Sequence, residues 1–355
     1  MKYFFKSCLA LLATACMFTS CDDNDDDDVI VEPTGEYADG YFILNENGGL
    51  GASIATFVGD DGVVTADPIG TVNTDFDVTT TGTYLQDMFF DDSRAFVISG
   101  SGNLVLVFDR YTMEYITTVD TDFASPRYGT VVGDYAYVTN YNDYSVGEDD
   151  FVTIINLNDY TTTTLDVNNN AEKIMSEDGL VYIANGYYGS GNAVTILDPS
   201  TNGLTSIDLG TGNTPNSFEE EDGYLYVLTY NYTNAALFTI DLAANQVVAQ
   251  TDFPAAIGEA SNLEIEDDVV YFTVSNAVYS MPLNATEVPT EPIFSYESDS
   301  AWGVMYGFAV EDNTIYIADG GDFSSNSTAY EYSLDGQLLN TITTGVGPNS
   351  FHFND

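Results

Sequence analysis

The feature that most constrains this chain is a repeat. An acidic turn followed by a short apolar strand with an aromatic in it, ending in Asn, Asp, Thr or Ser, recurs along the sequence. In the later copies the aromatics stand at Phe96, Tyr137, Tyr182, Tyr226, Tyr271 and Tyr316, 41 to 45 residues apart. The copy Asp39-Gly40-Tyr41-Phe42-Ile43-Leu44-Asn45 precedes them and brings the number to seven. No segment after residue 30 keeps a helical apolar period, whereas runs rich in Val, Ile, Tyr and Thr alternate with Gly, Asp and Asn clusters. After each core strand comes a second apolar run (104–109, 151–156, 193–198, 235–241), then a weaker third (161–165, 204–209, 338–342). Four short strands per period make a propeller blade, so the prediction is an all-β, seven-bladed β-propeller.

The inner strand of a blade should precede its core. Pro215-Asn216-Ser217-Phe218 does so before Tyr224, and the tail repeats it as Pro348-Asn349-Ser350-Phe351. Only an acidic stretch precedes the first core at Tyr41. The C-terminal strand is therefore expected to pair with the first blade, closing the ring and removing an open sheet edge.

The front of the chain reads as an address. Lys2 and Lys6 precede an apolar stretch from residue 8 to 18, too short to cross a bilayer and laid out like a secretory signal. Phe18-Thr19-Ser20-Cys21 resembles a bacterial lipobox, so residues 1–20 are expected to be removed and Cys21 lipidated. The acidic run that follows forms a solvated tether over residues 21–35, and the propeller occupies 36–355. Several acyl chains would make the anchor effectively permanent. An acidic run behind the lipidated cysteine resembles the export signal of surface lipoproteins of the Bacteroidota. That resemblance implies display on the outer face of the outer membrane.

Charge and cysteine content exclude several chemistries. The 355 residues carry 56 acids against 6 bases, and a chain cut before Cys21 keeps only Arg94, Arg110, Arg127 and Lys173 as cations. Such a surface repels phosphate backbones, which excludes nucleic acid as a partner. All three cysteines lie in the first 21 positions, so no internal disulfide or Cys-ligated metal is expected after processing. His352 is the sole imidazole and is expected to be packed; a serine triad or a three-histidine zinc site has too few residues to form. Asp60-Asp61-Gly62, Glu148-Asp149-Asp150 and Asp322 offer oxygens to calcium, but no twelve-residue calcium loop is present and these read as solvated turns. No cofactor or metal is expected, with calcium the one ion the acidic turns suit.

Beyond the period, Tyr84-Leu85-Gln86-Asp87-Met88, Ser101-Gly102-Asn103-Leu104-Val105-Leu106-Val107-Phe108-Asp109 and Ser125-Pro126-Arg127-Tyr128 resemble the second and third blades of YncE-like surface propellers of the Bacteroidota. Phe42-Ile43-Leu44-Asn45-Glu46-Asn47 resembles that family's opening strand. The family includes the BtuG-like lipoproteins, which capture cobalamin over a TonB-dependent transporter. The resemblance implies a non-enzymatic, surface-anchored binding propeller that captures a nutrient, such as cobalamin or another corrinoid, for an outer-membrane transporter. The alternatives are a structural or adhesive surface protein, or a carboxylate- or calcium-dependent enzyme. The glycine-rich 48–51 loop and the scarcity of lysine depart from the family pattern.

The candidate site follows from the loops that share one face with the inter-blade connections. They are rich in aromatics: Tyr141, Tyr144, Tyr187, Tyr188, Tyr230, Tyr232 and Phe323, with Trp302 and Tyr306 entering the last blade from the same side. Tyr and Trp combine rigid contact area with a polar tip, which suits a large flat amphipathic ligand or a glycan. Arg127, at an inter-blade crossing, is expected either to face a ligand carboxylate or phosphate or to neutralise a neighbouring Asp.

Overall fold

The computed structural model describes residues 34–47, 53–77, 82, 84–143, 145–187 and 189–354. Cys21, the leader, most of the tether, Tyr144, Tyr188 and the 48–51 loop lie outside the described residues. Within them, seven antiparallel four-stranded sheets form the seven-bladed β-propeller. Blade 1 is built from Gly40–Asn45, Ala55–Gly59 and Val64–Thr65, with Pro348–Phe353 as its inner strand. Blades 2 to 7 follow in chain order, with inner strands Leu85–Phe90, Pro126–Val132, Ile174–Glu177, Thr214–Glu221, Ser261–Glu266 and Gly307–Glu311. Each inner strand packs on the neighbouring blade, and Pro348–Phe353 touches both blade 7 and blade 2, so the ring is closed.

The core strands read as unbroken apolar runs because both of their faces are covered. Side chains alternate across a strand. In blade 1, Tyr41 and Ile43 pack on blade 7 while Phe42 and Leu44 pack on blade 2. Seven apolar clusters fill the seven junctions, one each. The outermost strands, such as Gly203–Asp208 and Gln246–Asp252, are mostly exposed, which is why their sequence signal is weak.

The polar residue at the end of each core strand has a common task. Asn45, Ser99, Asn140, Asn185, Thr229, Thr273 and Asp319 are all buried. Each sits where the connection from the previous blade arrives, and several satisfy its backbone groups. Asn140 Oδ1 accepts from the Ala124 amide at 3.0 Å, and its Nδ2 donates to Thr153 Oγ1 at 3.0 Å. Asp319 accepts from the Gly321 amide at 2.8 Å and from the Tyr296 hydroxyl at 3.1 Å. A buried amide or hydroxyl without such partners would cost about 1–3 kcal/mol.

Ring closure rests on two features. The first is the ladder between Gly40–Asn45 and Pro348–Phe353, in register Tyr41 to Phe353 and Ile43 to Phe351. The second is Asn354, fully buried just beyond it. Its Nδ2 donates to the Tyr37 carbonyl and, at 3.2 Å, to the Arg110 carbonyl, while its Oδ1 accepts from Arg110 Nε and its amide donates to Gly40 O at 2.8 Å. One side chain therefore ties the chain's end to its start and to blade 2. Removal of residues 348–355 is expected to lower the melting temperature by on the order of 10 °C or more and expose an aggregating edge. Asn354→Ala should cost about 2 kcal/mol by leaving two carbonyls unpaired. A truncated chain melting like the full one in calorimetry would refute closure as a source of stability.

Candidate functional site

The upper ends of the inner strands carry a ring of polar side chains, one per blade: Gln86, Arg127, Glu172, Asn216, Asn262, Tyr306 and Asn349. They repeat at 41 to 46 residues, the period of the core strands. Among the described residues, six of the seven junctions have a hydrogen bond from this ring to the next blade. Asn349 reaches the Leu85 carbonyl (2.9 Å), Asn216 that of Ala260 (2.8 Å) and Asn262 that of Met305 (3.3 Å). Arg127 Nη1 donates to Gln86 Oε1, and Tyr306 donates its hydroxyl to Glu46. The two Pro-Asn-Ser-Phe segments thus share one function, with Ser217 and Ser350 each donating back to the preceding Asn, at 2.8 and 3.0 Å.

Arg127 is the centre of this ring. Its fork meets Glu172 through Nε (3.1 Å) and Nη2 (2.8 Å), and its guanidinium lies 4.6 Å from the Tyr141 ring centre. Tyr141 donates its hydroxyl to the same Glu172, and Tyr187 packs on Tyr141 with ring centres 4.3 Å apart. Gln86 Nε2 donates to the Tyr128 hydroxyl at 3.0 Å. Burial opposes the charge of Arg127, but Glu172 outweighs it and holds the guanidinium above its ordinary pKa. Arg127 therefore pairs with an acid, but with Glu172 of the next blade rather than a neighbouring Asp.

Below the ring the channel is acidic. Asp87, Glu219 and Glu264 project from the inner strands of blades 2, 5 and 6, and Lys173, at the entry to blade 4, interacts with all three. Burial raises Asp87 and Glu219 to about 7, with Lys173 pulling both down. Glu264 is also raised well above the ordinary carboxylate range, by burial and then by Glu219. Burial disfavours the Lys173 ammonium, but Tyr128 and the acids more than compensate. Sequence reasoning did not single out Gln86, Tyr128, Glu172, Lys173, Asp87, Glu219 or Glu264 as site residues. The signal was there: polar or charged residues one period apart at the start of each inner strand.

The predicted aromatics separate into two groups. Around the channel mouth stand Tyr141, buried, and Tyr187 on blades 3 and 4. Tyr230 and Tyr232 of blade 5 meet edge-on at 5.6 Å. Tyr232 is 60% exposed, and its ring lies over Gly189, where a Cβ would come within 2.4 Å of it. Tyr306 stands at the mouth between Glu46 and Phe323, whose ring meets it edge-on at 5.0 Å. Trp302, 87% exposed, belongs to a separate cleft on blade 7 of about 700 Å³, and Phe323 borders both.

His352 and the acidic turns singled out in the sequence are engaged in local hydrogen bonds. His352 Nε2 pairs with Ser350 Oγ at 2.7 Å, and burial lowers the imidazole to about 3, so it stays neutral. No acid hydrogen-bonds it among the described residues. Asp61 and Asp322 cap their own turns, Asp322 being lowered to about 2 chiefly by the Ser324 and Ser325 amides. Asp150 is buried beneath its loop, accepts from the Ala171 amide at 2.7 Å and is raised by burial to about 7. Glu221, Asp222 and Asp268 can bring three oxygens within 4.8 Å of one another, but on the opposite face, at strand turns.

No protein-family model matches this chain, and no curated protein is similar to it by sequence. Solved structures share its fold. A quinonprotein alcohol dehydrogenase-like protein from Bacteroides thetaiotaomicron aligns with a TM-score of 0.69 at 14% identity, over 90% of this chain and 79% of that one. The hydrazine synthase of Kuenenia stuttgartiensis aligns at 0.55 and 18% identity, over 73% and 86% of the two chains. The computationally designed Ika8 protein aligns at 0.56 and 12%, over 90% and 93%. At these identities the likeness is one of fold, which hosts many activities.

The channel makes stability depend on pH. Asp87, Glu219 and Asp150 have folded pKa values near 7, above the unfolded values of about 3.9 for Asp and 4.3 for Glu. Their contribution is complete below about pH 4 and is lost as pH rises through 7. His352, lowered to about 3, opposes this, contributing above about pH 6.5 and losing that as pH falls. Three acids outweigh one imidazole, so the protein should melt at higher temperature at about pH 5.5 than at about pH 8, and Glu219→Gln should flatten the difference. A melting temperature that falls on acidification to pH ~5.5 would contradict this account of the channel.

Proposed function

We propose that this protein is a non-enzymatic binding propeller, anchored to the cell surface through Cys21, that captures a nutrient ligand at the upper mouth of its channel. The observation that carries this reading is the mouth itself. A rigid floor of Arg127, Glu172, Tyr141 and Gln86 is locked by inter-blade hydrogen bonds, and Tyr232, Tyr187 and Tyr306 stand around it. Rigid aromatics with polar tips over a preorganised polar floor bind a broad amphipathic ligand at low entropic cost. The neutral, enclosed His352 and the charged Lys173 offer neither an imidazole base nor a free amine nucleophile near neutrality, which counts against histidine- and lysine-based chemistry.

The resemblance to YncE-like surface lipoproteins supplies the finer reading. The ligand is cobalamin or another corrinoid, a large, flat molecule with a polar rim, and the bound protein hands it to a TonB-dependent outer-membrane transporter.

Titration of the soluble Cys21→Ser protein with cobalamin, haem and neutral glycans, followed by calorimetry, tests the proposal. Tyr232→Ala should cost about 2 kcal/mol of binding, as for a central aromatic anchor, and Tyr306→Phe less, through lost contact with Glu46. Substitutions at Asp222 and Asp268, on the opposite face, should leave affinity unchanged. Corrinoid binding that survives the mouth substitutions would overturn the site. Calcium-dependent self-association with no ligand from the panel bound would favour an adhesive role instead.

A further inference from the structure

Blade 7 carries a second concavity, of about 700 Å³, beside the channel mouth. One wall is the connection into the blade, residues 297–302, and the other is the loop and strand from Asp319 to Tyr330. The walls are pinned together at their base. Ser300 Oγ donates to the Gly321 carbonyl at 2.6 Å and accepts from the Gly303 amide at 2.7 Å, while the Gly320 amide donates to Gly303 O at 2.8 Å. Phe323 is held in the left-handed region (φ 55°), and its ring lies against Gly303, Gly320 and Gly347, where any Cβ would press on it. The concavity is thus built into the fold.

Its lining has one chemistry. Three aromatic residues, Trp302, Phe323 and Tyr330, share it with four carboxylates, Glu297, Asp299, Asp319 and Asp322, and no lysine, arginine or histidine contributes. Asp319 and Asp322 are occupied by hydrogen bonds to Tyr296, Gly321, Ser324 and Ser325. The Glu297 and Asp299 carboxylates and the Asn326 amide make no side-chain hydrogen bond among the described residues. Trp302 is 87% exposed, although a tryptophan normally buries most of its surface. An aromatic face attracts a cation through its quadrupole, tryptophan most strongly, and uncompensated carboxylates add to the attraction.

We propose that the blade 7 cleft binds an organic cation, an ammonium group carried on an apolar body, with Trp302 as the aromatic face and Glu297 and Asp299 as counter-charges. The inference rests on reading the upper face as the binding face, but it assigns a ligand class to a site separate from the channel mouth. The ammonium could belong to a small free amine or to lysine side chains of a peptide.

Choline, spermidine and a pentalysine peptide are the probes, and 3,3-dimethylbutan-1-ol, the uncharged carbon isostere of choline, is the control. Binding to the soluble Cys21→Ser protein is followed by Trp302 fluorescence and calorimetry at about 0.15 M salt. Choline should bind saturably, one per chain, and at least about tenfold more tightly than its isostere. Glu297→Gln with Asp299→Asn should weaken it by about tenfold or more, Trp302→Leu likewise by calorimetry, and Trp302→Phe much less. Stronger binding of choline than of pentalysine identifies a small amine as the ligand, and the reverse identifies a peptide. Equal affinity for the isostere would overturn the proposal, as would unsaturable cation binding indifferent to these substitutions, the mark of a diffuse ion atmosphere. Tyr232→Ala should leave choline binding unchanged. Corrinoid bound without choline sinks this inference alone, and choline bound without any mouth ligand sinks the capture reading alone.

Discussion

The pairing of the chain's last strand with its first is the constraint on which the rest depends. Each blade is one four-stranded sheet that buries both faces, so no blade is complete without a neighbour on either side. Six junctions follow from chain order, but the seventh exists only because Pro348–Phe353 lies against Gly40–Asn45 and Ile43, Ala318 and Phe351 meet in one cluster. Asn354 fixes that closure by joining segments more than 200 residues apart in sequence. With the ring shut, the inner strands become a wall, and the polar ends of those strands are forced into mutual contact at the channel mouth.

That geometry explains how a chain so poor in cations uses the few it has. Arg94 pairs with Asp91 and reaches the Leu157 carbonyl at 2.6 Å, tying blade 2 to blade 3 on the lower face. Arg110 lies on the same side, 4.9 Å from the Phe90 ring centre, and binds Asn354. Arg127 and Lys173 go to the channel, where acids from several blades converge and would otherwise repel one another inside a low-dielectric wall. Elsewhere most acids sit on exposed turns, and the buried Asp150 and Asp319 are satisfied by hydrogen bonds from backbone amides and a tyrosine hydroxyl. The Arg127–Glu172 pair lies where closure concentrates charge and holds the mouth in a fixed shape, whereas Arg94–Asp91 closes a local turn.

A preformed mouth is what separates a binding face from a merely aromatic surface. Tyr141, one of the loop tyrosines, is buried, with its hydroxyl on Glu172 and its ring against Tyr187. It acts as part of the floor. Among the described aromatics of these loops, Tyr232 and Trp302 are the most exposed, and they project from different blades over different concavities. The same loops thus supply both scaffold and contact surface.

The sequence by itself determined the fold. The period of 41 to 45 residues, the unbroken apolar cores and the matched Pro-Asn-Ser-Phe segments specify blade number, strand order and closure, because these depend on local alternation and chain order. It also determined the charge imbalance, and so the few cations available for pairing. Only the tertiary structure decided which polar residues meet. Glu172 with Arg127, Glu46 with Tyr306, and Lys173 among Asp87, Glu219 and Glu264 come from different blades, tens to hundreds of residues apart. Side-chain contacts across a channel depend on the angle and radius of the closed ring. No local pattern carries that radius, so the floor of the mouth and the cleft on blade 7 became visible only when seven sheets were packed around one axis.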